Sequence, residues 1–378
     1  MTDNCLLIAG EKSGEEHALS FFDELREKLP QIHYWGVGGN QLESKGLELL
    51  YHLNDFSSMG FIEVVKKIPY YLNAQKRILD EVKKRKTKVA ILIDFQDFNL
   101  RLARALKKIN VEVLYYVAPQ AWAWRSNRAK ILAKTVHTLF TIIPFEKQWF
   151  NQRGVQNVMS ITHPILKHYK PYLYRITEKK FEKKVVKILL LPGSRRMEIV
   201  NLMEPFIDAI KRLKNDGGFT FEVGIVCADS VPASLFDQFN LTENGIKKFD
   251  LVEGLLWADF SLACSGTVTL TAALFQVPTV VAYKTSIVSE FVFLTVVKYF
   301  GHISLANIVL EEQVFPEFKQ NELDGVALML KIKRWLTNEA EFTHVKEKLK
   351  LTESKLTIDN ENVPNYLANI IEKCVING

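Results

Sequence analysis

From residue 5 to residue 283 the chain repeats one pattern, a short apolar run followed by an amphipathic one. CLLIAG (5–10), HYWGVG (33–38), KVAILID (88–94), VEVLYYV (111–117) and HTLFTII (137–143) are short and rich in β-branched or aromatic residues, and read as buried strands. Between them, segments 15–29, 63–86 and 99–108 are amphipathic and read as helices. Strand and helix in alternation predict a parallel sheet covered on both faces. Around 163–183, HPILKHYKPYLYRITEKKFEK interrupts the pattern with a charged, aromatic connector. VVKILLLPGS (185–194), FTFEVGIV (219–226), FSLACSG (260–266) and PTVVAY (278–283) restart it, and from 321 onward the chain reads as helical. The expectation is an α/β chain of two Rossmann-like, doubly wound domains facing a cleft. An N-terminal domain spans 1–165 and a second spans 166–340, and C-terminal helices over 341–378 are placed to pack back on the first.

With 378 residues, 48% of them hydrophobic, the chain has material for two cores. Its 49 basic and 43 acidic residues leave a formal charge of +6, which suits an anionic partner such as a nucleotide, a phosphorylated lipid or a membrane surface. No nucleic-acid-binding module is visible, and no nucleic-acid partner is expected. Cys5, Cys227, Cys264 and Cys374 are scattered, as in reduced core positions of a cytoplasmic protein. The N-terminus lacks the basic start and long apolar run of a signal peptide. The nearest approach to a spanning segment, 287–300, is broken by Glu290 and Lys298. The eight histidines show no metal spacing, so neither a metal nor a cofactor is expected.

Several junctions carry chemistry. In LLLPGSRRMEI (189–199), Gly193 and Ser194 follow a strand and open a helix, where N–H groups and the helix dipole favour an anion. Arg195 and Arg196 add guanidiniums suited to phosphate, and Glu198 reads as a first-turn acid. Ser265-Gly266-Thr267 offers the same geometry, or a plain helix cap. Together the two loops make a diphosphate cradle. IDFQDFN (93–99) ends a strand with Asp94 and Asp97, each placed to act as a general base or to cap the next helix. AGEKSGEE (9–16), with Glu11, Ser13 and Gly14, is acidic and better suited to a neutral sugar or a structural turn. Segment 57–77 sets Phe61, Ile62, Val65, Ile68, Tyr71 and Leu72 beside Lys66, Lys67, Lys76 and Arg77. It reads as a core-facing helix or an element lying on an anionic membrane. VAPQAWAWR (117–125) puts Pro119, Trp122, Trp124 and Arg125 at a strand-to-helix junction, as a packing corner or a ligand-facing loop.

These pieces, with GVGGNQLESKGLE, MGFIEVV, PFEK, THP, AYK, SLAN and PE-x-x-Q, come in an order that resembles the lipid-A-disaccharide synthase family of Gram-negative bacteria. The resemblance runs over about 5 to 320. It implies an inverting, metal-independent glycosyltransferase-B enzyme that joins UDP-2,3-diacylglucosamine to 2,3-diacylglucosamine 1-phosphate (lipid X). The products are the β-1′,6-linked disaccharide phosphate and UDP. It also implies peripheral attachment to the cytoplasmic face of the inner membrane, and leaves the oligomeric state open. Asp97 is then the base, with Asp94 in reserve, and Arg195 meets the leaving group. Gly193, Ser194, Arg195, Glu198, Ser265, Gly266, Thr267, Thr271, Asn307, Glu317 and Gln320 fall to the UDP side. Glu11, Ser13, Gly14, Met59, Gly60, Asn99, Pro119, Trp122, Trp124 and Arg125 fall to the acceptor side, with Arg125 and Arg128 placed to meet a phosphate. The chain departs from the family pattern at Lys12, Glu15, Gln96 and Thr162. The largest departure is Thr271, where the family usually carries a Glu that holds the ribose.

Overall fold

A computed structural model describes residues 3–56, 61–123, 125–178, 184–284, 301–359 and 362–375, with the backbone alone for 61–66. Met59, Gly60, Trp124, the side chains of Phe61 and Ile62, and the apolar stretch 287–300 lie outside the described residues. The chain divides into two compact units, 1–167 with 357–378, and 168–356.

The first unit carries seven parallel strands: β1 (Asn4–Ala9), β2 (His33–Gly38), β3 (Glu48–His52), β4 (Val89–Ile93), β5 (Glu112–Tyr116), β6 (Thr138–Thr141) and β7 (Val158–Ser160). Their order is β3-β2-β1-β4-β5-β6-β7. All residues of β1 and β4 are buried. Successive residues feed opposite layers: Leu6 and Ile8 enter one cluster with Ala90 and Leu92, and Cys5 and Leu7 enter the other with Val89 and Ile91. A strand buried on both faces has to be apolar throughout, which is why these runs show no alternation.

The second unit repeats the design with β8 (Val185–Leu191), β9 (Thr220–Val226), β10 (Ile246–Phe249), β11 (Phe260–Cys264), β12 (Thr279–Tyr283) and β13 (Glu317–Lys319). The order is β10-β9-β8-β11-β12-β13, again with every pair parallel.

Four strands were not evident in the sequence: β3, β7, β10 and β13. All four are edge strands, and each has residues that are only partly covered. The expected connector over 163–183 contains a helix, Pro164–Leu173. The expected C-terminal block 341–378 is split between the units. Phe342, Val345 and Leu349 of helix Glu339–Lys350 join the core of the second unit. Helix Val363–Val375 returns to the first, where Val363, Leu367 and Ile371 pack with Cys5, Leu7 and Phe22. The Tyr366 hydroxyl lies 3.0 Å from Thr138 Oγ1 and fixes its register against β6.

The C-terminal helix is thus a covering layer of the N-terminal sheet. Leu367 is fully buried. Leu367→Ala should cost about 2–5 kcal/mol by loss of apolar burial and the cavity left behind. Hydrogen exchange should show the loss in β1 and β4 and leave β8 and β11 unchanged. Equal loss in both units would contradict this assignment.

Candidate active site

In an open parallel sheet, ligands bind beyond the carboxyl ends of the strands, where the strand order reverses. The reversal falls between β1 and β4 in the first unit and between β8 and β11 in the second. The loops leaving those four strands are AGEKSGE, DFQDFN, PGSRR and SGT. Each of these motifs therefore stands at a switch point.

In the first unit, Asp94 and Phe95 leave β4 with φ of 45° and 44°, two consecutive left-handed residues that are not glycine. Such backbone costs on the order of 1–3 kcal/mol per residue unless its surroundings enforce it. Two donors hold the Asp94 carbonyl: Asn99 Nδ2 at 2.9 Å and the Tyr115 hydroxyl at 2.9 Å. Asn99 Nδ2 also reaches the Ile93 carbonyl at 3.1 Å. Asn99 is fully buried and is thus a positioning residue at the strand end. Gly10 allows this bend, because a Cβ there would lie 2.7 Å from the Phe95 ring. The Asp94 carboxyl is pushed up to about 6, mainly by burial and further by the Glu11 carboxylate.

Asp97 sits one helical turn further on and is 72% exposed. Its Oδ1 accepts from Arg125 Nη1 at 3.1 Å and Arg128 Nη2 at 2.5 Å. Arg128 is buried and also donates to Gln96 Oε1. The two arginines expected to meet a phosphate are therefore committed to Asp97, and they tie the loop after β5 to helix Gln96–Lys107.

Trp122 and Pro119 explain how that loop is held. The Trp122 indole N–H donates to Glu146 Oε1 at 2.9 Å, and its ring meets Phe145 edge-on at 5.2 Å. Glu146 is fully buried and also accepts from the Ile142 and Ile143 N–H groups. Burial raises its carboxyl to about 7. Pro119 is buried, and Gly14 packs on Ala9 and the Ile93 carbonyl. Ser13 is half-buried in the first turn of helix Lys12–Leu19, and Glu11 stands at the N-cap position of that helix with no side-chain capping hydrogen bond.

Around these groups lies a cavity of about 750 Å³, walled by Glu11, Asp94, Asp97 and Arg125 and by apolar residues of helix Phe61–Arg85. Ile68 and Leu72 face it while 44% and 42% exposed. Ser13, Gly14, Asn99, Pro119 and Trp122, expected on the acceptor side, are not among the described residues that line it. The sequence reading missed Arg101, Arg104 and Gln75, which also line it. The available signal was spacing, since residues 97, 101 and 104 share one face of a helix.

In the second unit, Gly193, Ser194, Arg195, Glu198, Ser265, Gly266 and Thr267 gather around a cavity of about 330 Å³. Cys264 and Val268 line it too. Gly193 has φ 109°, and a Cβ on it would lie 2.4 Å from Glu198 Oε2, so the loop requires glycine. Glu198 Oε2 accepts from the Ser194 and Arg195 N–H groups at 3.2 and 3.3 Å, and its Oε1 accepts from Arg195 Nη1 at 2.8 Å. A carboxylate thus occupies the donors that suit an anion. Arg195 is otherwise 82% exposed.

Four expected nucleotide-side residues are not among the described residues lining this cavity. Thr271 is buried, its hydroxyl 3.4 Å from the Thr267 carbonyl. Asn307 is fully buried, bonded through its amide to Phe315 N–H and C=O and to Glu317. Glu317 accepts from the Ile303 and Ser304 N–H groups and pairs with Lys319. Gln320 follows β13 with φ 48°. In this arrangement Asn307 and Glu317 clamp the turn into β13.

Comparison with known proteins agrees with both halves. The sequence matches the family model described as lipid-A-disaccharide synthetase over residues 5–371. It is 30% identical to the lipid-A-disaccharide synthase of Francisella philomiragia, over 97% of this chain and 99% of that protein. It is 33% identical to the enzyme of Anaeromyxobacter dehalogenans strain 2CP-C, over 90% of each. Among solved structures, a UGT transferase from Siraitia grosvenorii in complex with UDP is similar with a TM-score of 0.59 and 10% identity, covering 98% of this chain and 100% of that one. A glycosyltransferase from Rickettsia africae is similar with a TM-score of 0.55 and 13% identity, covering 100% and 99%. At such identities the structural likeness establishes the glycosyltransferase-B fold alone. With the family match spanning both switch points, the chain belongs to the lipid-A-disaccharide synthetase family of glycosyltransferases.

Proposed function

We propose that the protein transfers 2,3-diacylglucosamine from UDP to the 6-hydroxyl of 2,3-diacylglucosamine 1-phosphate, with inversion. The single observation that carries this reading is the first-unit cavity. It sets a half-buried carboxyl with raised proton affinity between cationic and exposed aliphatic walls, which fits a phosphorylated, acylated sugar. Incubating the purified protein with both lipids tests it directly: disaccharide phosphate and UDP should appear in equal amounts. Neither appearing would refute the reading.

In this mechanism the base is Asp94 rather than Asp97. Asp94 takes the proton of the acceptor hydroxyl as that oxygen attacks the anomeric carbon from the face opposite UDP. The carbon–phosphate oxygen bond breaks, and UDP leaves with the electron pair. A base with a pKa near 6 is ionised at neutral pH and still accepts a proton readily. Asp97 serves structure instead, through Arg125 and Arg128.

On the donor side, Arg195 and the N–H groups of Ser194 and the Gly266–Thr267 turn receive the diphosphate, exchanging Glu198 for phosphate oxygens. Peripheral membrane attachment is part of the same proposal. Ile68 and Leu72 are exposed on a helix that also carries Lys67, Lys76 and Arg77. No helix among the described residues is long and apolar enough to cross a membrane.

Asp94→Asn should lower kcat by about two or more orders of magnitude with UDP binding intact. Asp97→Asn should act mainly on acceptor KM and stability. In the wild type, kcat/KM should rise with pH through about 6. The sign for stability is opposite. A carboxyl raised from 3.8 to about 6 contributes stability that is present below 3.8 and lost as pH rises through 6. Asp94→Asn should therefore melt no lower than wild type at pH 8. A dead Asp97→Asn beside an active Asp94→Asn would reverse the roles.

Arg195→Ala should reduce turnover by about two orders of magnitude, as expected for one preorganised donor to a developing anion. Arg195→Lys should recover only part, because the fork is lost. EDTA should leave wild-type turnover unchanged. A loss that magnesium restores would move the diphosphate charge to a metal. Replacing Ile68 and Leu72 by Ser should weaken sedimentation with anionic vesicles, and unchanged sedimentation would remove this face from the membrane.

A further inference from the structure

Helix Gln96–Lys107 turns Asp97, Arg101 and Arg104 toward the 750 Å³ cavity at i, i+4 and i+7. Asp97 is taken by Arg125 and Arg128. Arg101 and Arg104 are exposed, and among the described residues neither has a hydrogen-bond or ion-pair partner. Like charges three residues apart on a helix repel each other. Across the cavity, helix Phe61–Arg85 presents Ile68, Leu72 and Gln75 at the same spacing. One wall therefore carries two guanidiniums not ion-paired with any described group, and the other carries aliphatic surface that water does not favour. Each wall lacks a partner that one amphiphilic anion would supply.

We propose that Arg101 and Arg104 form the clamp for the phosphate monoester of the acceptor, whose acyl chains lie along Ile68 and Leu72. The inference rests on the reading of the first unit as the acceptor side. A guanidinium presents a planar fork that matches two phosphate oxygens, and two forks one turn apart suit a dianion. Arg125 and Arg128 are less available for the task, because releasing them would leave Asp97 unpaired and the buried Arg128 short of its carboxylate. The clamp sets which acceptor is bound. The chemistry at Asp94 is the same for any sugar presenting a hydroxyl there.

The test uses the full-length protein and two acceptors, 2,3-diacylglucosamine with and without its 1-phosphate. Binding is measured by titration, separately from turnover. Wild type should bind the phosphorylated acceptor roughly a hundredfold more tightly, at about tenfold for each charge-assisted contact. Arg101→Ala with Arg104→Ala should abolish that preference while changing affinity for the neutral acceptor less than about twofold, and should melt as wild type does because both side chains are exposed. The double Lys variant should restore part of the preference. Lys108→Ala, a cation beside the same helix, should retain all of it. A double Ala variant that still prefers the phosphorylated acceptor overturns the clamp. So does a double variant that keeps this preference but no longer sediments with anionic vesicles, which would assign the two arginines to bilayer headgroups. Wild type that binds with the expected preference yet forms no disaccharide would count against the proposed activity and leave the clamp standing.

Discussion

Reversal of strand order in an open parallel sheet is the constraint on which both sites depend. At the carboxyl ends of the paired strands β1 and β4, and again of β8 and β11, the following segments go to opposite faces and leave a crevice that neither covers. The two crevices are equipped for opposite tasks. In the first, the backbone at Asp94 and Phe95 is bent into left-handed conformation, so a carboxyl lands at the strand end in a partly dehydrated position. In the second, a positive-φ glycine precedes two consecutive N–H groups, of Ser194 and Arg195, that converge on the Glu198 carboxylate in the lining of the cavity. One geometry concentrates a proton acceptor and the other a field for anions. Glycosyl transfer with a nucleotide leaving group needs both.

The strained bend at Asp94 is sustained by two side chains that donate to its carbonyl. Asn99 and Tyr115 together supply two hydrogen bonds to one carbonyl, and Asn99 does so from complete burial. Removing either would free the strand end to relax and carry the carboxyl with it. On the proposed reading of Asp94 as the base, its placement therefore depends on residues within the sheet.

The strands read directly from the sequence are those inside each sheet, because burial on both faces leaves no choice but apolar residues. The edge strands escaped for the converse reason. β10 reads IKKF and β13 reads EFK, with residues open to solvent and paired on one side only. Polar residues cost little there and also discourage pairing with other chains. At the candidate site the positions of motifs were legible and their tasks were not. Asp94 and Asp97 are equivalent by residue type and differ only in what folding brings to them. One receives burial and the neighbouring charge of Glu11, the other two guanidiniums. Trp122 has the composition of a ligand contact, yet its N–H serves a buried Glu146 whose presence behind the loop is a property of the fold.

Glu198 shows how a binding loop can be shaped ahead of its ligand. Two N–H groups and a guanidinium converging on one point would repel each other if left uncompensated. The loop would spread, and ordering it would then be charged against donor affinity. The Glu198 carboxylate supplies the missing negative charge from within the same helix turn, at distances of 2.8 to 3.3 Å. It holds the three donors together at the end of β8. A diphosphate carries more negative charge and more acceptor oxygens than one carboxylate, so under the proposed function it competes with Glu198 for the same donors. Under the proposed function the same residue preserves the donor geometry and then yields it to phosphate. Those two properties explain why an acid stands where composition alone would call for a base.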